Sequence, residues 1–475
     1  MLTRVSGKVR SGHMTIWFDV EDLFEYARGV SRPSGIQRLC YEMYAALHTT
    51  DPVGVGFVRI NVANGTTQIV TWEEIENLFL RLSQAMVHAP TLQRPGAPLA
   101  LTHSRLAQLP LLRASAQRIP REVRQPLGAA IRAQISVLRH LLATARSVPA
   151  ALKARRSSEQ SSIGSQVPTR QLHEVARPGD IFASFGSPWW YPGYSDLVAR
   201  ILRQTGLRYA VLIYDLIPIL RPEYCDRTLV SSFSRFANGC LRQADIVLAI
   251  SNATARDTAN WAAREGIALR SAPRTIPIGT GFNHAAPALA LPKGLAPGGY
   301  VLFVSTIEVR KNHALAFHAW RRLLDELAPD QVPTLVFAGR VGWLVGDLMQ
   351  QFQNAQELGG KLVFVENPDD ATLAALYGGA RFTLFPSLYE GWGLPVSESL
   401  SFGKVCIASN ATSVPEAGGE FCLYHDPGSV TEATALYRRV IAEPGLIETL
   451  EARIRAEYRP TAWSTTAQAV LDALG

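Results

Sequence analysis

The chain has 475 residues, of which 47% are hydrophobic, and its formal charge at pH 7 is +7. This composition supplies enough apolar material for two α/β domains of ordinary size. The sequence has no apolar run of roughly eighteen residues, which excludes a predicted transmembrane helix. The five scattered cysteines lack the spacing of a zinc site or a disulfide framework. We therefore expect buried thiols in a reducing cytoplasm.

The chain begins with a polar, basic stretch. Residues 1–14 lack an apolar segment, which predicts a disordered tail and not a secretory signal. A strand from Thr15 to Val20 follows, and the turn SRPSG then leads into a helix that begins near Ile36. Gly35 in that turn allows the backbone to come close to an anion at the helix N-terminus. An ordinary turn between a strand and a helix has the same pattern, so both interpretations stay open.

One segment carries most of the positive charge. Residues 81–157 contain thirteen Arg or Lys and one acid, a balance of +12, which leaves −5 for the rest of the chain. Leucines recur beside arginines at helical spacing, so we predict a basic helical insertion over residues 85–167. This pattern favours contact with an anionic membrane surface. It lacks the aromatic residues that stack on nucleic-acid bases. An insertion packed on its own domain is the alternative.

Further apolar strands predict a parallel sheet, whose functional groups gather at the carboxyl ends of the strands. Trp189 and Trp190 follow one strand and Tyr214–Asp215 follow the next. The two tryptophans suit stacking on a sugar ring, or equally a place in the core or at an interface. Asp215 is a candidate functional carboxylate at the end of its strand, or a turn-capping residue before Pro218. The first α/β domain is predicted over residues 15–284 and a linker rich in Pro, Ala and Gly over 285–299.

The second predicted domain spans residues 300–460 and opens with a strand and the loop STIEVRKNH. Arg310 and Lys311 in this loop are two adjacent cations, a pair that suits a diphosphate. A solvated basic helix start is the alternative. Asn312 is predicted to cap the helix that follows. Gly339–Arg340 follow the next strand. Asp369–Asp370 resembles a metal-binding pair, but the helical pattern after it favours a helix cap.

The segment EGWGLPVSE, Glu390 to Glu398, is the feature around which the chain is organised. A buried strand precedes it, and a helix restarts at Pro395, which suits a first turn. Backbone groups of Gly391, Trp392, Gly393 and Leu394 then face an anion at the helix N-terminus. Two carboxylates bracket this turn and suit the vicinal hydroxyls of ribose or hexose. A solvated pair of acids is the alternative.

This segment closely resembles the signature of the retaining glycosyltransferases of family 4. The resemblance implies a GT-B fold, in which two Rossmann-like domains face a cleft and the C-terminal domain binds a nucleotide sugar. It implies that Arg310 and Lys311 bind the diphosphate, that Glu398 binds the ribose and that Glu390 binds the hexose. By the same resemblance the Gly35 loop faces the diphosphate and residues 461–475 form a helix that crosses back to the first domain.

The sequence departs from the pattern of this family at one position. A histidine often precedes the aspartate beside the transferred sugar, whereas this chain has Tyr214 before Asp215. We therefore treat Tyr214, with Trp189 and Trp190, as an acceptor residue and Asp215 as a catalytic one. Gly339, Arg340 and Pro395 complete the expected donor site. No metal and no cofactor other than the donor substrate is expected.

The loops STIEVRKNH, AGRVGW and YEGWGLP most resemble bacterial mannosyl- or rhamnosyltransferases of surface polysaccharide synthesis. This implies GDP-mannose as donor and a glycan or lipid-linked acceptor. The enzyme is then expected in the cytoplasm or peripherally on the inner face of the cytoplasmic membrane, with no nucleic-acid partner. A GT-B nucleotide-sugar epimerase and a non-catalytic polysaccharide-assembly protein remain as alternatives.

Overall fold

The computed structural model describes residues 14–29, 35–61, 64–84, 92–93, 170–281 and 290–475. The predicted N-terminal tail up to residue 13, most of the basic insertion and part of the predicted linker lie outside these residues. Ser34 and the rest of the SRPSG turn before Gly35 do as well.

The first domain is built on a seven-stranded sheet. Its strands, from one edge to the other, are Thr66–Val70, Val55–Asn61, Ile16–Asp19, Ile181–Ser184, Arg208–Ile213, Ile246–Ala249 and Arg274–Thr275. All neighbouring strands pair in parallel except the antiparallel edge strand 66–70. The α-helices among them are Glu21–Gly29, Gly35–Thr50, Trp72–Gln84, Leu172–Val175, Tyr194–Thr205, Ile217–Leu220, Arg227–Leu241 and Asn252–Arg264.

The second domain repeats this architecture. Its strands, in spatial order, are Cys422–His425, Cys406–Ser409, Thr383–Phe385, Tyr300–Val304, Thr334–Ala338, Leu362–Val365 and Leu92–Gln93. The six strands that belong to the domain's own sequence are parallel, and the short strand 92–93 pairs antiparallel at the edge. Its α-helices are His313–Glu326, Gly346–Asn354, Gln356–Gly359, Asp370–Gly379, Leu394–Ser401, Val414–Gly418, Val430–Ala442, Leu446–Glu457 and Trp463–Leu474.

Both sheets are covered on both faces, which explains why their central strands are predominantly apolar instead of alternating. Strand 181–184 is fully buried, and so are strands 246–249 and 406–409. Two separate apolar clusters line the two faces of each sheet. The predicted fold class, two Rossmann-like domains of a GT-B protein facing a cleft, is confirmed.

The last helix leaves the second domain. Helix Trp463–Leu474 packs along helix Gly35–Thr50 and contributes Trp463, Ala467 and Val470 to the apolar core of the first domain. The indole of Trp463 lies directly against Gly279, where a Cβ atom would approach the ring to 2.3 Å. The end of the chain therefore ties the two domains together.

No helix in the part of the chain that the structure describes is both long and apolar enough to cross a membrane.

Candidate active site

The second sheet has a point at which the strand order reverses. Strands Tyr300–Val304 and Thr383–Phe385 lie side by side, but the strands that follow each of them lie on opposite sides. The loops leaving their carboxyl ends therefore diverge and open a crevice, which is where ligands bind in sheets of this kind. One loop carries Arg310 and Lys311 and the other carries Glu390. The structure thus brings the adjacent Arg310 and Lys311 together with Glu390, which lies 80 residues after Arg310 in the sequence.

These three side chains form one buried ion cluster. The Glu390 carboxylate accepts from Arg310 Nη1 at 2.6 Å and from Lys311 Nζ at 2.6 Å. Arg310 Nη2 donates to Glu308 at 2.7 Å, and its Nη1 also donates to the Tyr389 carbonyl oxygen at 2.9 Å. Only 17%, 15% and 9% of the Arg310, Lys311 and Glu390 side chains are exposed. Because the cluster is shielded from water, its charges interact strongly.

The pKa values reflect this burial and pairing. Burial would raise the pKa of Glu390, but Arg310 and Lys311 outweigh it and lower that pKa. Burial would lower the pKa of Arg310, and the neighbouring carboxylates raise it instead. For Lys311, burial and then Arg310 lower the pKa despite the pairing with Glu390. Glu390 and Arg310 are therefore charged at neutral pH.

The backbone of Glu390 is held by two hydroxyl residues that sequence reasoning missed. The Glu390 N–H donates to Thr412 Oγ1 at 3.0 Å, and the Thr412 hydroxyl donates back to the Glu390 carbonyl at 3.0 Å. Ser413 Oγ donates to the carbonyls of Glu390 at 2.8 Å and Trp392 at 2.9 Å. The only sequence signal was that SNATSVPE follows a buried strand, as the other site loops do.

The turn after Glu390 meets the first domain. A Cβ atom on Gly391 would lie 2.1 Å from the Tyr214 carbonyl oxygen and 3.0 Å from Asp215 Cβ, so only glycine allows this approach. The Thr254 hydroxyl donates to the same Tyr214 carbonyl at 3.1 Å. Trp392 packs against the apolar cores of both domains. The two domains therefore close directly over the predicted donor turn.

Helix Val414–Gly418 of the second domain contacts helix Asn252–Arg264 of the first domain, in which Thr254 also lies. The Glu416 carboxylate accepts from the N–H groups of Asn252 at 2.7 Å and Ala253 at 2.8 Å, at the N-terminus of helix Asn252–Arg264. An anion there compensates the helix dipole and satisfies free N–H groups. The Tyr389 hydroxyl donates to Asp257 in this helix at 2.5 Å. These contacts hold the two domains in a closed arrangement.

Asp215 lies at this junction. Its carboxylate accepts from the Ile217 N–H at 3.0 Å, which is the turn-capping contact considered from the sequence. Burial raises the pKa of Asp215, and Arg310 partly opposes that rise. The carboxylate therefore belongs to the electrostatic surroundings of the ion cluster although it comes from the other domain.

Glu398 lies in helix Leu394–Ser401, after the turn. It accepts from the Tyr377 hydroxyl at 2.8 Å. Burial raises the pKa of Glu398, and Arg38 of the first domain opposes that rise. Arg38 forms an ion pair with Asp370 at 2.8 Å across the domains.

The remaining expected donor residues surround the crevice. Gly393 precedes the helix with φ +147°, and Leu394 packs against the first domain's core. Gly339 has φ +155° and lies so close to the Ser305 carbonyl that no Cβ would fit. The Arg340 carbonyl accepts from Ile307 N–H at 2.8 Å, which places this turn beside the Arg310 loop. Gly35 begins its helix at an exposed position.

The three aromatic residues assigned to the acceptor differ in exposure. Trp189 packs against Phe233 and Phe236. Tyr214 is 7% exposed, and its hydroxyl donates to the Phe185 carbonyl. Trp190, in contrast, is 55% exposed. Of the three, Trp190 is therefore the ring that remains available to a ligand.

Buried carboxylates mark the corresponding switch point of the first sheet, between strands Ile16–Asp19 and Ile181–Ser184. Asp22 accepts from the N–H of Ser187 at 2.9 Å and from its hydroxyl at 3.1 Å. Burial raises the pKa of Asp19 to about 7, against the bonds it accepts from Tyr194 and the backbone. The sequence analysis did not single out these acids.

The predicted cap at Asp369 is confirmed, since its carboxylate accepts from the Thr372 N–H at 2.8 Å. The prediction for Asn312 is wrong in its chemistry. Asn312 stands at the cap position with φ +64°, but its side chain makes no cap bond. Its amide donates instead to the carbonyls of Pro386 at 3.0 Å and Pro427 at 2.9 Å. Among the residues that the structure describes, no cluster of potential metal ligands occurs.

Comparison with known proteins gives a concordant result. The profile of the glycosyl transferases group 1 matches residues 296–457. The O-antigen chain mannosyltransferase B of Escherichia coli is 27% identical over 273 residues, which cover 56% of this chain and 70% of that protein. The serotype-specific mannosyltransferase WbdA of Escherichia coli is 26% identical over 219 residues, 43% of this chain but only 26% of that much longer protein.

Among solved structures, that of Anabaena HepE in complex with UDP and glucose superposes with a TM-score of 0.56. It is 15% identical and covers 97% of this chain and 99% of its own. At that identity the likeness concerns the fold, which it shares along the whole length of the chain.

Proposed function

We propose that the chain is a GT-B glycosyltransferase that transfers mannose from GDP-mannose, with retention of configuration, to a glycan or lipid-linked acceptor in bacterial surface polysaccharide synthesis. The mannosyltransferases among its relatives support the choice of sugar. The O-antigen chain in the description of one of them supports the choice of pathway.

The observation that carries the proposal is the cluster of Arg310, Lys311 and Glu390 at the switch point of the second sheet. Two cations, each about one-sixth exposed, lie where the sheet opens a crevice. A nucleotide-sugar diphosphate gains negative charge on its β-phosphate as the sugar leaves. Fixed cations in a shielded site stabilise that charge without reorganisation, which is the largest contribution to catalysis in many enzymes.

The neighbouring turn is suited to the sugar and the nucleoside. Backbone N–H groups from Gly391 to Leu394 lie at the start of helix Leu394–Ser401, whose dipole favours an anion. Glu398 would bind the ribose hydroxyls, and Glu390 the hydroxyls of the transferred hexose. We assign no residue as a covalent nucleophile and no metal to the reaction, since the two cations supply the positive charge that the leaving group requires.

The acceptor enters from the first domain in this account. Asp215 would lie beside the transferred sugar, and Trp190 would offer its exposed ring to acceptor sugars. The basic segment 81–157 would hold the enzyme peripherally on the inner face of the cytoplasmic membrane, where a lipid-linked acceptor is found. The alternative assignments as an epimerase or as a non-catalytic protein receive no support from a specific observation.

The proposal is tested by transfer from GDP-mannose to oligosaccharides ending in mannose, with product linkage determined by NMR. We expect an α-mannoside product and loss of activity in R310A and E390A, each assayed below its own melting temperature because removal of one partner of a buried ion pair lowers stability. R453A serves as a matched control and should keep full activity, because Arg453 is 39% exposed and pairs with the exposed Glu420. Unchanged transfer in both site variants would contradict the assignment.

A further inference from the structure

Glu390 forms ion pairs with both of the cations that the proposed function assigns to the diphosphate. Arg310 and Lys311 each contact Glu390 at 2.6 Å, and Glu308 takes a second edge of the Arg310 guanidinium at 2.7 Å. Two cations and two carboxylates leave the cluster without net charge. A diphosphate that binds both cations therefore competes with these carboxylates for the positive charge.

The structure indicates which carboxylate moves away from the cations when a diphosphate binds. Glu308 is 3% exposed and pairs with Arg310, whereas Glu390 is 8% exposed and its neighbour Gly391 forms the contact with the first domain. The backbone of Glu390 is fixed on both its N–H and its carbonyl by Thr412 and Ser413. Any movement of Glu390 is therefore a side-chain rotation, which requires no change in the loop.

We propose that Glu390 substitutes for the donor's diphosphate in the empty enzyme, and that the diphosphate displaces its carboxylate from Arg310 and Lys311 toward the hydroxyls of the transferred sugar. This inference rests on the proposed function, because it takes the two cations as diphosphate ligands. Without an internal counterion, two buried adjacent cations would be destabilising in the empty enzyme. The exchange also presents Glu390 to the sugar only when a diphosphate is in place.

The test uses inorganic diphosphate as the probe, titrated calorimetrically into the wild-type chain and E390Q. Glutamine keeps the size of the side chain but removes its charge, so the competitor is weakened. Close charge pairs are coupled strongly enough that diphosphate should bind E390Q roughly tenfold or more tightly than the wild type. The control E420Q changes the net charge equally, but Glu420 belongs to the exposed ion pair with Arg453. The affinity of E420Q for diphosphate should match that of the wild type.

Equal or weaker binding to E390Q overturns the inference, as does an equal gain in E420Q. If diphosphate binds the wild type but E390Q gains nothing, the proposed diphosphate site stands and only the exchange fails. If it binds none of the three proteins, the proposed function fails as well.

A crystal structure of the wild type with GDP gives a second test that does not depend on the folding of any variant. We expect the Glu390 carboxylate to lie beyond about 4 Å from Lys311 Nζ, outside ion-pair distance. Persistence of the 2.6 Å contact beside a bound diphosphate would overturn the inference.

Discussion

A methyl group at Gly391 should abolish efficient transfer while leaving both domains folded. In the closed arrangement the Cβ atom of G391A would lie 2.1 Å from the Tyr214 carbonyl oxygen and 3.0 Å from Asp215 Cβ. An ordinary contact between carbon and oxygen is about 3.3 Å, so the turn and the Tyr214–Asp215 segment must separate by about 1 Å. That separation acts across the cleft and not within either core.

A misplacement of about 1 Å at a reacting centre costs on the order of 100-fold in rate, which is about 2.7 kcal/mol of transition-state stabilisation. We therefore expect kcat/KM of G391A to fall by about that factor. Gly391 does not have a positive φ, so the substitution introduces no backbone strain of its own. The free energy of unfolding should change by less than about 1 kcal/mol.

The assay measures transfer from GDP-mannose together with thermal unfolding. G378A is the matched control, because Gly378 lies in helix Asp370–Gly379 and a Cβ atom there meets nothing within 4 Å. It should keep wild-type activity and melt at the same or a slightly higher temperature. Activity of G391A within about threefold of the wild type, equivalent to about 0.7 kcal/mol, would refute the reasoning. A large loss of stability in G391A would refute it too.

Three further predictions follow from the contacts described above. Glu416 caps helix Asn252–Arg264 across the domains, and a charged cap contributes about 1–2 kcal/mol. E416Q should therefore close the two domains less tightly and lower kcat/KM about tenfold. The control E420Q should leave kcat/KM unchanged. Burial lowers the pKa of His313 from 6.5 to about 3, so the unfolded chain binds the extra proton and stability should fall as pH drops through that window. The free energy of unfolding is measured by denaturation at several pH values. Its slope against pH should be shallower in H313F than in the wild type by up to about 1.4 kcal/mol per pH unit. An unchanged slope would exclude His313 as the cause. Deletion of residues 105–156 should weaken sedimentation with anionic liposomes but not with neutral ones, and undiminished binding would contradict the membrane role.

The sequence predicted the fold well because parallel strands buried on both faces are locally distinctive. The strand predicted from Thr15 to Val20 spans Ile16–Asp19 in the structure, one residue shorter at each end. The strands that were missed are short or lie at sheet edges. Strand Thr66–Val70 contains three polar residues, and strand Arg274–Thr275 has two. Such strands are specified by their neighbours and not by their own composition.

The site was predictable only where its residues are contiguous or match a known signature. Glu390, Arg310 and Lys311 could be identified, but not that one carboxylate joins both cations, since this depends on two loops from non-consecutive strands. Thr412 and Glu416 were missed because their partners are distant in sequence. Nothing in a single sequence distinguishes these hydrogen bonds from those of an ordinary turn.

The same limit explains the local errors. Asn312 precedes a helix, and asparagine is a favoured cap, so a cap bond was expected. The Asn312 side-chain amide instead donates hydrogen bonds to two carbonyl groups of the second domain, and the residue adopts a left-handed conformation.

The central claim is that Arg310 and Lys311 bind the diphosphate of a guanosine nucleotide, and a thermal-shift panel tests it most directly. The wild-type chain and K311M are melted with GDP, UDP, ADP and dTDP. A ligand at 100 times its dissociation constant adds about 2.7 kcal/mol to the free energy of unfolding. We predict that GDP raises the melting temperature of the wild type more than the other nucleotides do, and that K311M loses this response. No shift with any nucleotide, or an equal GDP shift in K311M, would contradict the account.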